Sequence, residues 1–313
     1  MKILVTGCGG DIGQSVGKIL LNSFDSIELH GIDISDKNAA KFIFPYFKLA
    51  PRVTNVEYIP FIRNYVIKNH IDLIIPVSEP ELRQFTLQKW NAKILGSKVL
   101  MANYKARKVG FDKMGTIGFL AKNQFPHPLT KHIKYDKENI PLPVIFKSRT
   151  GSGSKSIFEA RNLKSYNLYK KLLDNQDFII QELIPSEEGE YTCGLFRSRN
   201  GEIRSIIFSR ELTGGYSSYG ELVESEIISK LLKQIGIKLN LRGSINIQLR
   251  IKDGIPYIFE INPRFSSTVY FRHLFGFNDV IWSIADLLEI KLPPYKKDNR
   301  AKRFYKGFNE YTD

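Results

Sequence analysis

Residues 243–266, GSINIQLRIKDGIPYIFEINPRFS, constrain what this chain can fold into more than any other segment. Apolar residues alternate over 244–251 and again over 256–261, and each run predicts a β-strand. The intervening residues 252–254, Lys-Asp-Gly, predict a three-residue hairpin loop with glycine in the left-handed conformation. The segment is therefore predicted to form a β-hairpin.

An odd number of loop residues fixes which side chains share a face of this hairpin. Asn246 and Gln248 then lie on the same face as Glu260 and Asn262, because side chains alternate along a strand and directly opposed residues point the same way. Arg264 follows just beyond. Carboxylate and amide oxygens on a rigid platform suit Mg²⁺, which is held by one or two carboxylates plus substrate phosphates. An ordinary hairpin with a solvated polar face is the alternative.

The chain begins with an apolar strand at 2–6, KILVT, which leads into a glycine-rich turn at 7–13, GCGGDIG. A helix to about residue 21 and a strand ending at Asp33 follow. This order is close to the dinucleotide-binding fingerprint, in which an acidic residue lies about 20 positions after the glycines. Taken alone it favours an NAD(P)-dependent Rossmann oxidoreductase, and simple strand–helix packing is the alternative.

A buried strand is predicted at 72–77, and Ser78, Glu79 and Glu81 follow its carboxyl end. Because ligands bind at the carboxyl edge of open parallel sheets, Glu79 and Glu81 are candidate contacts to a substrate. The alternative is a helix start, with Ser78 as N-cap, Pro80 in the first turn and Glu81 in the capping-box position.

Residues 143–161 predict a strand that ends at Lys147, a loop rich in glycine and serine at 150–156, and a second strand at 157–160. No G-x-x-x-x-G-K-[ST] sequence is present, so this is not a Walker A loop. Backbone N–H groups and hydroxyls in such a flap can bind a triphosphate, and Arg149 adds positive charge beside it. A surface hairpin with scattered cations is the alternative.

The sequence EINPR at 260–264 resembles the E-x-N-P-R signature of the ATP-grasp superfamily, and Gln248 resembles the glutamine ligand of its carbamoyl-phosphate-synthase-like branch. Weaker matches precede it in order across 103–268. The resemblance implies an α/β fold, with an N-terminal Rossmann-like pre-ATP-grasp domain followed by a two-subdomain ATP-grasp fold. The implied units are a Rossmann-like domain at 1–98, a linker helix and lid subdomain at 99–183, a catalytic subdomain at 184–295 and a basic tail at 296–313.

The resemblance also implies a role for each candidate residue. The implied metal ligands are Gln248, Glu260 and Asn262. The implied contacts to ATP are Lys113 of the Asp112-Lys113 pair, Lys147, Arg149, the flap residues Gly151, Ser152, Gly153 and Ser154, the adenine-binding linker of Glu182, Leu183 and Ile184, and Glu190 at the ribose. The implied catalytic cations are Lys147, Arg210 and Arg264, and for Arg210 a cross-strand ion pair is the alternative.

These roles imply an ATP-dependent carboxylate–amine ligase that acts through an acyl phosphate, with ATP and Mg²⁺ as cofactors and Mn²⁺ as a substitute metal. Its partners would be a small-molecule carboxylate and an amine, neither of which the sequence identifies. Residues 213–219, TGGYSSY, are expected to close over the substrate. The alternatives are a non-catalytic ATP-binding protein of the same fold and the NAD(P)-dependent oxidoreductase, which leaves the second half of the chain unexplained.

Composition adds bounds on class and location. The 313 residues are 42% hydrophobic and 25% charged, as in a globular protein with two or three subdomains. No apolar run reaches the ~18 residues of a membrane-spanning helix, and we find neither a signal peptide nor a nucleic-acid-binding motif. With two cysteines, a reducing, cytoplasmic location is expected. The net charge is +14, and its densest cluster, at 296–306, predicts a solvated tail, with an anionic partner as the alternative. A homodimer stays open.

Overall fold

A computed structural model describes residues 1–135, 140–151, 157–298, 300–307 and 309–312. These residues form three β-sheets and flanking helices, so the predicted α/β class is confirmed. The strands are β1 (Lys2–Thr6), β2 (Glu28–Asp33), β3 (Tyr46–Leu49), β4 (Leu73–Pro76), β5 (Lys98–Val99), β6 (Thr130–His132), β7 (Val144–Ser148), β8 (Ile157–Ala160), β9 (Phe178–Glu182), β10 (Glu190–Arg197), β11 (Ile203–Thr213), β12 (Tyr216–Leu222), β13 (Gly243–Lys252), β14 (Ile255–Asn262) and β15 (Arg303–Tyr305). The α-helices are α1 (Asp11–Ser23), α2 (Tyr58–Asn69), α3 (Glu79–Leu87), α4 (Ala92–Leu95), α5 (Tyr104–Gly110), α6 (Lys113–Lys122), α7 (Leu163–Leu173), α8 (Glu226–Lys238), α9 (Val269–Leu274) and α10 (Asp279–Leu288).

The first sheet is parallel, with the strand order β3-β2-β1-β4-β5. Its central strands are apolar on both faces, as expected where helices cover both sides. Ile3 and Val5 of β1 pack in one core with Leu20 of α1, whereas the intervening Leu4 packs in another with Ile62 of α2. The sheet therefore lies between two cores, and the carboxyl ends of β1 and β4 meet at one edge.

The other two sheets are antiparallel, with the orders β6-β9-β7-β8 and β14-β13-β10-β11-β12-β15. Helix α7 packs on the four-stranded sheet through Tyr166. Helices α5, α6 and α8 share one core with the six-stranded sheet, to which Ala106, Ile117 and Leu232 belong. Val269 of α9 packs in the core that contains α1, so the first and third sheets are joined by apolar packing. No helix in the described ranges is long and apolar enough to cross a membrane.

The predicted hairpin forms, but with a shorter loop. Lys252 pairs with Ile255, so the turn consists of Asp253 and Gly254, whose φ angles are 53° and 70°. Two central residues with positive φ are typical of a type I′ turn, the connection that best matches the twist of the strands. The prediction of a three-residue loop is therefore wrong.

A β-bulge explains why the predicted face nevertheless forms. Leu249 pairs with Ile258, whereas Gln248 pairs with Glu260, so Phe259 is an extra residue on β14. One inserted residue shifts the register by one and restores the parity that the shorter loop removes. The bulge therefore places the Glu260 carboxylate opposite Gln248.

Two helical segments are each divided into two helices by a turn. Within 103–120, α5 ends before Asp112, whose carboxylate caps α6 by accepting the Met114 N–H at 2.9 Å. Within 271–289, α9 and α10 are separated by Gly276, whose φ of 81° lies outside the range of a right-handed helix. In both cases a local backbone preference interrupts an apolar pattern that continues on either side.

Part of the basic tail is built into the fold, so the expectation of a solvated tail is wrong there. The strand β15 pairs with β12 and extends the third sheet. Its central Phe304 is buried and stacks on Phe271 with ring centroids 4.2 Å apart. The next cation, Lys306, contacts the Asp11 carboxylate at the start of α1. The tail thus connects the edge of the third sheet to the first sheet's helices.

The packing also bears on the predicted domain boundaries. The boundary after residue 98 falls inside β5, which is a strand of the parallel sheet. Helices α5 and α6, which the prediction groups with the lid, pack in the core of the third sheet. The boundary after residue 183 falls between β9 and β10. The division into four units stays a proposal.

Candidate active site

A cleft of about 940 Å³ opens where the carboxyl edge of the parallel sheet meets the two antiparallel sheets. This volume is in the range of sites for cofactor-sized ligands. The wall residues that bear on the predictions are Gly10, Glu79, Lys113, Lys147, Gly151, Glu182, Leu183, Ile184, Glu190, Arg210, Gln248, Arg250, Phe259, Glu260, Asn262 and Arg264. The fold thus brings most of the predicted site residues to one cleft.

The predicted metal ligands lie side by side on one wall. Gln248 opposes Glu260 across β13 and β14, and Asn246 opposes Asn262 two positions along. The Asn246 amide oxygen is already occupied, because it accepts the Thr192 hydroxyl at 2.8 Å. Within the described part of the chain, the side chains of Gln248, Glu260 and Asn262 make no hydrogen bond or ion pair. Three oxygen donors on this wall are therefore free to bind a ligand.

The three oxygen donors on this wall carry little negative charge for a divalent cation such as Mg²⁺. The described residues contain no group of three or more His, Cys, Asp and Glu side chains that could hold a metal ion. One carboxylate and two amides leave a hard cation short of negative charge, and phosphate oxygens are the usual complement. The set therefore fits Mg²⁺ that arrives with a nucleotide better than a permanently bound metal.

A buried lysine faces the same region from β7. Lys147 is 5% exposed, and its ammonium lies 3.5 Å from the Phe259 carbonyl oxygen and 5.7 Å from the centre of the Phe259 ring. Burial lowers the pKa of Lys147 to about 8, against an opposing effect of Glu260 and with a further lowering by Lys113. A poorly solvated cation of this kind gains by contact with a phosphate.

The start of the glycine–serine flap is anchored to α6. The Gly151 carbonyl accepts the Lys113 ammonium at 2.9 Å, and both residues line the cleft. Ser152, Gly153 and Ser154, which are predicted to contact ATP, lie outside the described residues. The flap prediction can therefore be followed only to Gly151.

Arg149 does not line the cleft, although it is predicted to contact ATP. Its guanidinium forms a bidentate pair with Asp112, with N–O distances of 2.8 and 2.6 Å. The Asp112 hydrogen bond is the main cause that raises the pKa of Arg149. Since Asp112 also caps α6, the arginine holds the start of that helix against the end of β7.

The predicted adenine-binding linker retains one unpaired backbone donor. The Glu182 N–H donates to the Leu129 carbonyl at 2.8 Å, and the Leu183 N–H donates to the Pro143 carbonyl at 3.0 Å. Ile184 is buried, lines the cleft, and has no backbone partner for its N–H among the described residues. An N–H in this position can donate to a ring nitrogen of a base.

Two arginines occupy the Glu190 carboxylate. Arg210 donates to Oε1 from Nε and Nη2 at 3.0 and 2.7 Å, and Arg250 approaches Oε2 from Nε and Nη2 at 2.8 and 2.7 Å. Burial alone would raise the pKa of Glu190, but the two guanidinium groups outweigh it and lower the pKa. A carboxylate has about four lone-pair sites, so none is left for ribose hydroxyls in this arrangement. For Arg210, the cross-strand ion pair is what forms.

Arg250 and Phe259 are wall residues that the sequence analysis missed. Arg250 donates to the Ile184 carbonyl at 2.7 Å, so it connects Glu190 to the linker. Its guanidinium lies 5.8 Å from the centre of the Phe259 ring. Knowledge of the strand register, in which Glu190 opposes Arg250, would have identified the arginine. Phe259 enters the wall only because of the bulge.

Glu79 and Arg264 lie on the wall nearest the parallel sheet. Their closest side-chain atoms are 4.0 Å apart, and Arg264 also donates to the Phe265 carbonyl at 3.0 Å. Glu79 is held more closely by Arg83, at 3.0 and 2.8 Å. The structure thus places both predicted residues on the cleft wall.

Glu81 is buried and does not line the cleft, so the geometry gives no support to its prediction as a substrate contact. It accepts the hydroxyls of Thr6, Tyr58 and Ser78 at 2.9, 2.6 and 2.5 Å. Burial raises the pKa of Glu81, and these three hydrogen bonds oppose that shift. The alternative of a helix start is confirmed in position, because Ser78 is the N-cap residue of α3 and Pro80 lies in its first turn. The Ser78 side chain makes no capping hydrogen bond, so the capping box itself does not form.

The glycine turn at 7–13 is packed against its own sheet. The Gly9 N–H donates to the Asp33 carboxylate at 2.8 Å. A Cβ atom at Gly9 would lie 2.5 Å from the Asn38 amide nitrogen, so there is no room for a side chain or a ligand at Gly9 itself. Asp33, which would bind ribose in a dinucleotide site, is therefore engaged by the turn itself. This geometry favours the strand–helix packing interpretation.

A buried polar network lies behind the wall that carries Gln248, Glu260 and Asn262. Arg272 is 0% exposed and donates to the Asn246 amide oxygen. Its Nη1 lies 3.7 Å from the Asp279 carboxylate, which also accepts the Ser244 hydroxyl at 2.6 Å. The sequence analysis did not identify this network, because its members are far apart in the chain. It fixes Asn246 and so the start of the wall.

Comparisons with known proteins agree with this geometry. A family model described as an ATP-grasp domain matches residues 111–268. The fold resembles an ADP complex of N5-carboxyaminoimidazole ribonucleotide synthetase, with a TM-score of 0.76 and 14% identity over 95% of this chain and 79% of that one. It also resembles the L-amino acid ligase from Bacillus licheniformis, with a TM-score of 0.70 and 16% identity over 91% of this chain and 74% of that one.

A third similar structure contains both metal and nucleotide. It is the biotin carboxylase domain of the 2-oxoglutarate carboxylase from Hydrogenobacter thermophilus in complex with MgADP, ADP and bicarbonate, with a TM-score of 0.72 and 14% identity over 94% of this chain and 71% of that one. At such identities these likenesses show the fold. The family match spans just over half of the 313 residues and contains the whole wall of Gln248, Glu260 and Asn262. The chain therefore belongs to the ATP-grasp family.

Proposed function

We propose that this protein is an ATP-dependent ligase that joins a small carboxylate to an amine through an acyl phosphate. The observation that carries the proposal is the pairing of two walls of the cleft. Gln248, Glu260 and Asn262 present free oxygens, and Lys147 presents a buried cation to the same space. Free oxygen ligands beside a poorly solvated cation are what a Mg-nucleotide needs, because the metal and the phosphates are bound together.

The walls define an orientation for the nucleotide. Adenine would bind near Ile184, whose N–H is available, and the phosphates would extend toward Lys147 and Lys113. Gln248, Glu260 and Asn262 would hold Mg²⁺, or Mn²⁺ in its place. The ion, when bound, supplies charge neutralisation for the phosphate oxygens. Glu190 would act by holding Arg210 and Arg250 in place. These two arginines line the cleft between the proposed adenine and phosphate positions.

The chemistry requires positioning and charge more than a protein nucleophile. A carboxylate oxygen of the first substrate attacks the γ-phosphorus of ATP, and the bond to ADP breaks. The amine nitrogen then attacks the acyl carbon, the carbon–oxygen bond to phosphate breaks, and a proton leaves the nitrogen. Lys147 and Arg264 would stabilise the charge on the transferred group. Products are an amide, ADP and phosphate.

The substrate end of the cleft carries one charge of each sign. Arg264 could receive the carboxylate, and Glu79 could receive the ammonium of the amine, since both line the cleft. The similar solved structures include a synthetase and an L-amino acid ligase by name, and these names support a ligase. The NAD(P)-dependent alternative loses support from Asp33, and the non-catalytic ATP-binding alternative is left to experiment.

Phosphate release from Mg-ATP tests the proposal. The purified protein is given pooled small carboxylates and amines, and hydroxylamine is added in a parallel reaction to trap an acyl phosphate as a hydroxamate. We expect release that requires one acid, a hydroxamate of that acid, and loss of both in Glu260→Gln. Binding of Mg-ATP without release in any pool, with inorganic sulfate and phosphate acceptors also inactive, would favour the non-catalytic alternative.

A further inference from the structure

A second, smaller cavity lies behind the EINPR segment. Its volume is about 280 Å³, and it is enclosed by the edge of the parallel sheet, the start of β13 and helix α10. Arg264 lines both this cavity and the nucleotide cleft, and its neighbours Pro263 and Phe265 line the smaller cavity. Ligand sites occur preferentially where domains meet, and this volume is near the lower end of their range. We propose that this cavity binds a small aliphatic carboxylate.

The inner surface of the cavity fits an apolar body. Leu82, Leu100, Leu287 and Phe265 contribute to the wall, and Leu82, Leu100 and Phe265 are each less than 9% exposed. Four elements thus contribute apolar side chains to the cavity: α3, the segment after β5, the segment after β14, and α10. Such a lining favours a ligand with a branched or straight hydrocarbon chain and disfavours a free inorganic anion.

One polar group on this surface has no partner. The Ser283 hydroxyl lies on α10, its residue is 5% exposed, and its oxygen makes no hydrogen bond to the described residues. Burial of a hydroxyl without a partner is unfavourable, so most such groups bind a ligand or water. Ser283 can donate to an oxygen of the ligand.

The charges around the cavity favour an anion. Arg199 is neutralised within the wall, because its guanidinium contacts Glu289 at 2.7 Å and its N–H donates to Asp286 at 3.0 Å. Arg242, by contrast, forms no ion pair in the described ranges, and Arg264 has only Glu79 at 4.0 Å. The wall has three arginines and the two carboxylates of Asp286 and Glu289, so one net positive charge remains for a carboxylate ligand, which accepts hydrogen bonds from arginine in a planar pair.

Arg264 gives the site a consequence for the cleft, because its side chain lines both cavities. A carboxylate in the small cavity competes for the charge that a nucleotide-bound substrate would use. Occupancy of one cavity then changes the affinity of the other, and the change is reciprocal. The coupling between the two cavities rests on the proposed function of the cleft. Binding of a carboxylate to the small cavity does not, because it can be measured without turnover.

The test is isothermal titration of the full chain with 4-methylpentanoate, with Mg-ADP absent and present. The neutral amide of the same acid is the control ligand, and leucine tests whether an amino acid is preferred. We expect the acid to bind, the amide to bind at least roughly tenfold more weakly, and Mg-ADP to lower the affinity severalfold. Tighter binding of leucine than of the acid would assign the carboxylate site to amino acids.

Two variants locate the binding. Ser283→Leu fills the cavity, and Arg242→Ala removes an exposed cation without touching the core, with the exposed Arg161→Ala as matched control. We expect no binding to Ser283→Leu, roughly tenfold weaker binding to Arg242→Ala, and unchanged binding to Arg161→Ala. Thermal melting checks that each variant is folded. Wild-type affinity in folded Ser283→Leu and Arg242→Ala, or no binding to the wild type, would overturn the proposal and leave the ligase proposal standing.

Discussion

The glycine turn at 7–13 and the wall of Gln248, Glu260 and Asn262 both have sequences typical of nucleotide sites, yet their polar groups end differently. In the turn, the Gly9 N–H is satisfied by Asp33. On the wall, the oxygens have no partner in the described part of the protein. Buried polar groups are normally paired within the fold. The pair of Gly9 and Asp33 is therefore structural, whereas free oxygens on a cleft wall predict a ligand.

The largest expected effect comes from the free wall. Glu260→Gln keeps the shape of the side chain and removes the carboxylate charge, so we expect phosphate release to fall about 100-fold or more. The free energy of unfolding should change by less than about 0.5 kcal/mol, because no partner is lost. The exposed Glu226→Gln is the matched control, and activity of Glu260→Gln near that of the control would contradict the assignment.

Glu81 is a carboxylate whose hydrogen-bond partners all lie within the fold, and its substitution should have the opposite effects on activity and stability. Glu81→Ala leaves the buried hydroxyls of Thr6 and Tyr58 and the half-buried hydroxyl of Ser78 without their acceptor, and we expect the free energy of unfolding to fall by about 3 kcal/mol. Phosphate release per folded molecule should stay within about threefold of wild type, because Glu81 is not on the cleft wall. Urea denaturation and the phosphate assay together measure this. An unchanged stability with lost activity would reverse the roles given to Glu81 and Glu260.

Lys147, which is proposed to bind phosphate, should destabilise the protein when no nucleotide is bound. Its pKa is lowered from 10.5 to about 8, so at pH 7 the buried ammonium costs about 3 kcal/mol, and Lys147→Met should gain about that much without nucleotide. Between about pH 8 and pH 10.5, the pKa values of Lys147 in the folded and unfolded protein, the unfolded chain binds more protons than the folded one. Wild-type stability therefore rises with pH from about 8 to 10.5, and the advantage of the variant disappears over that window.

The same substitution should remove the benefit of nucleotide. Mg-ADP is expected to stabilise the wild type and to leave Lys147→Met unchanged, as measured by thermal melting at pH 7. Lys164→Met, at an exposed lysine on α7, is the matched control and should respond to Mg-ADP as the wild type does. A variant that is no more stable than wild type at pH 7 would show that Lys147 is not poorly solvated.

A smaller effect is expected when the Gln248 amide is replaced by a carboxylate. Gln248→Glu adds negative charge opposite Glu260, so we expect Mg²⁺ to bind roughly tenfold more tightly in the presence of ADP. The exposed Gln88→Glu controls for net charge. Titration of Mg²⁺ at saturating ADP measures the change, and equal affinities in all three proteins would argue against a metal at Gln248.

The smallest effect concerns the ribose. Because Arg210 and Arg250 occupy both oxygens of Glu190, we expect ATP and 2′-deoxyATP to support phosphate release within about threefold of each other. Steady-state rates at limiting nucleotide decide this. A preference for ATP of tenfold or more that disappears in Glu190→Gln would show that the arginines release Glu190 when nucleotide binds.

The sequence predicted the family, and it predicted that Gln248, Glu260 and Asn262 share one face, because both depend on one local pattern, strand alternation around a hairpin. It was right about the wall for an incomplete reason, since the short turn and the bulge at Phe259 compensate each other. Neither is visible in the alternation of side chains, because a bulge is set by pairing between strands. The ATP-grasp family is confirmed, whereas the individual site residues stay predictions.

Contacts between distant elements were not predictable from the chain alone. Arg250 is one cation among many until the register places it opposite Glu190, 60 positions away. Glu81 has the sequence context of a substrate contact or a cap, and only the positions of Thr6 and Tyr58 make it a buried acceptor. The charge of the tail suggested solvent, whereas the burial of Phe304 depends on an open edge at β12.

The measurement that tests the central claim most directly is calorimetric titration of ADP into wild type and Glu260→Gln, each with and without Mg²⁺. The account predicts tight binding to wild type only when Mg²⁺ is present, and weak binding to Glu260→Gln that Mg²⁺ does not improve. Equal binding by both proteins, or wild-type binding that is indifferent to Mg²⁺, would contradict the claim that this wall is a Mg-nucleotide site.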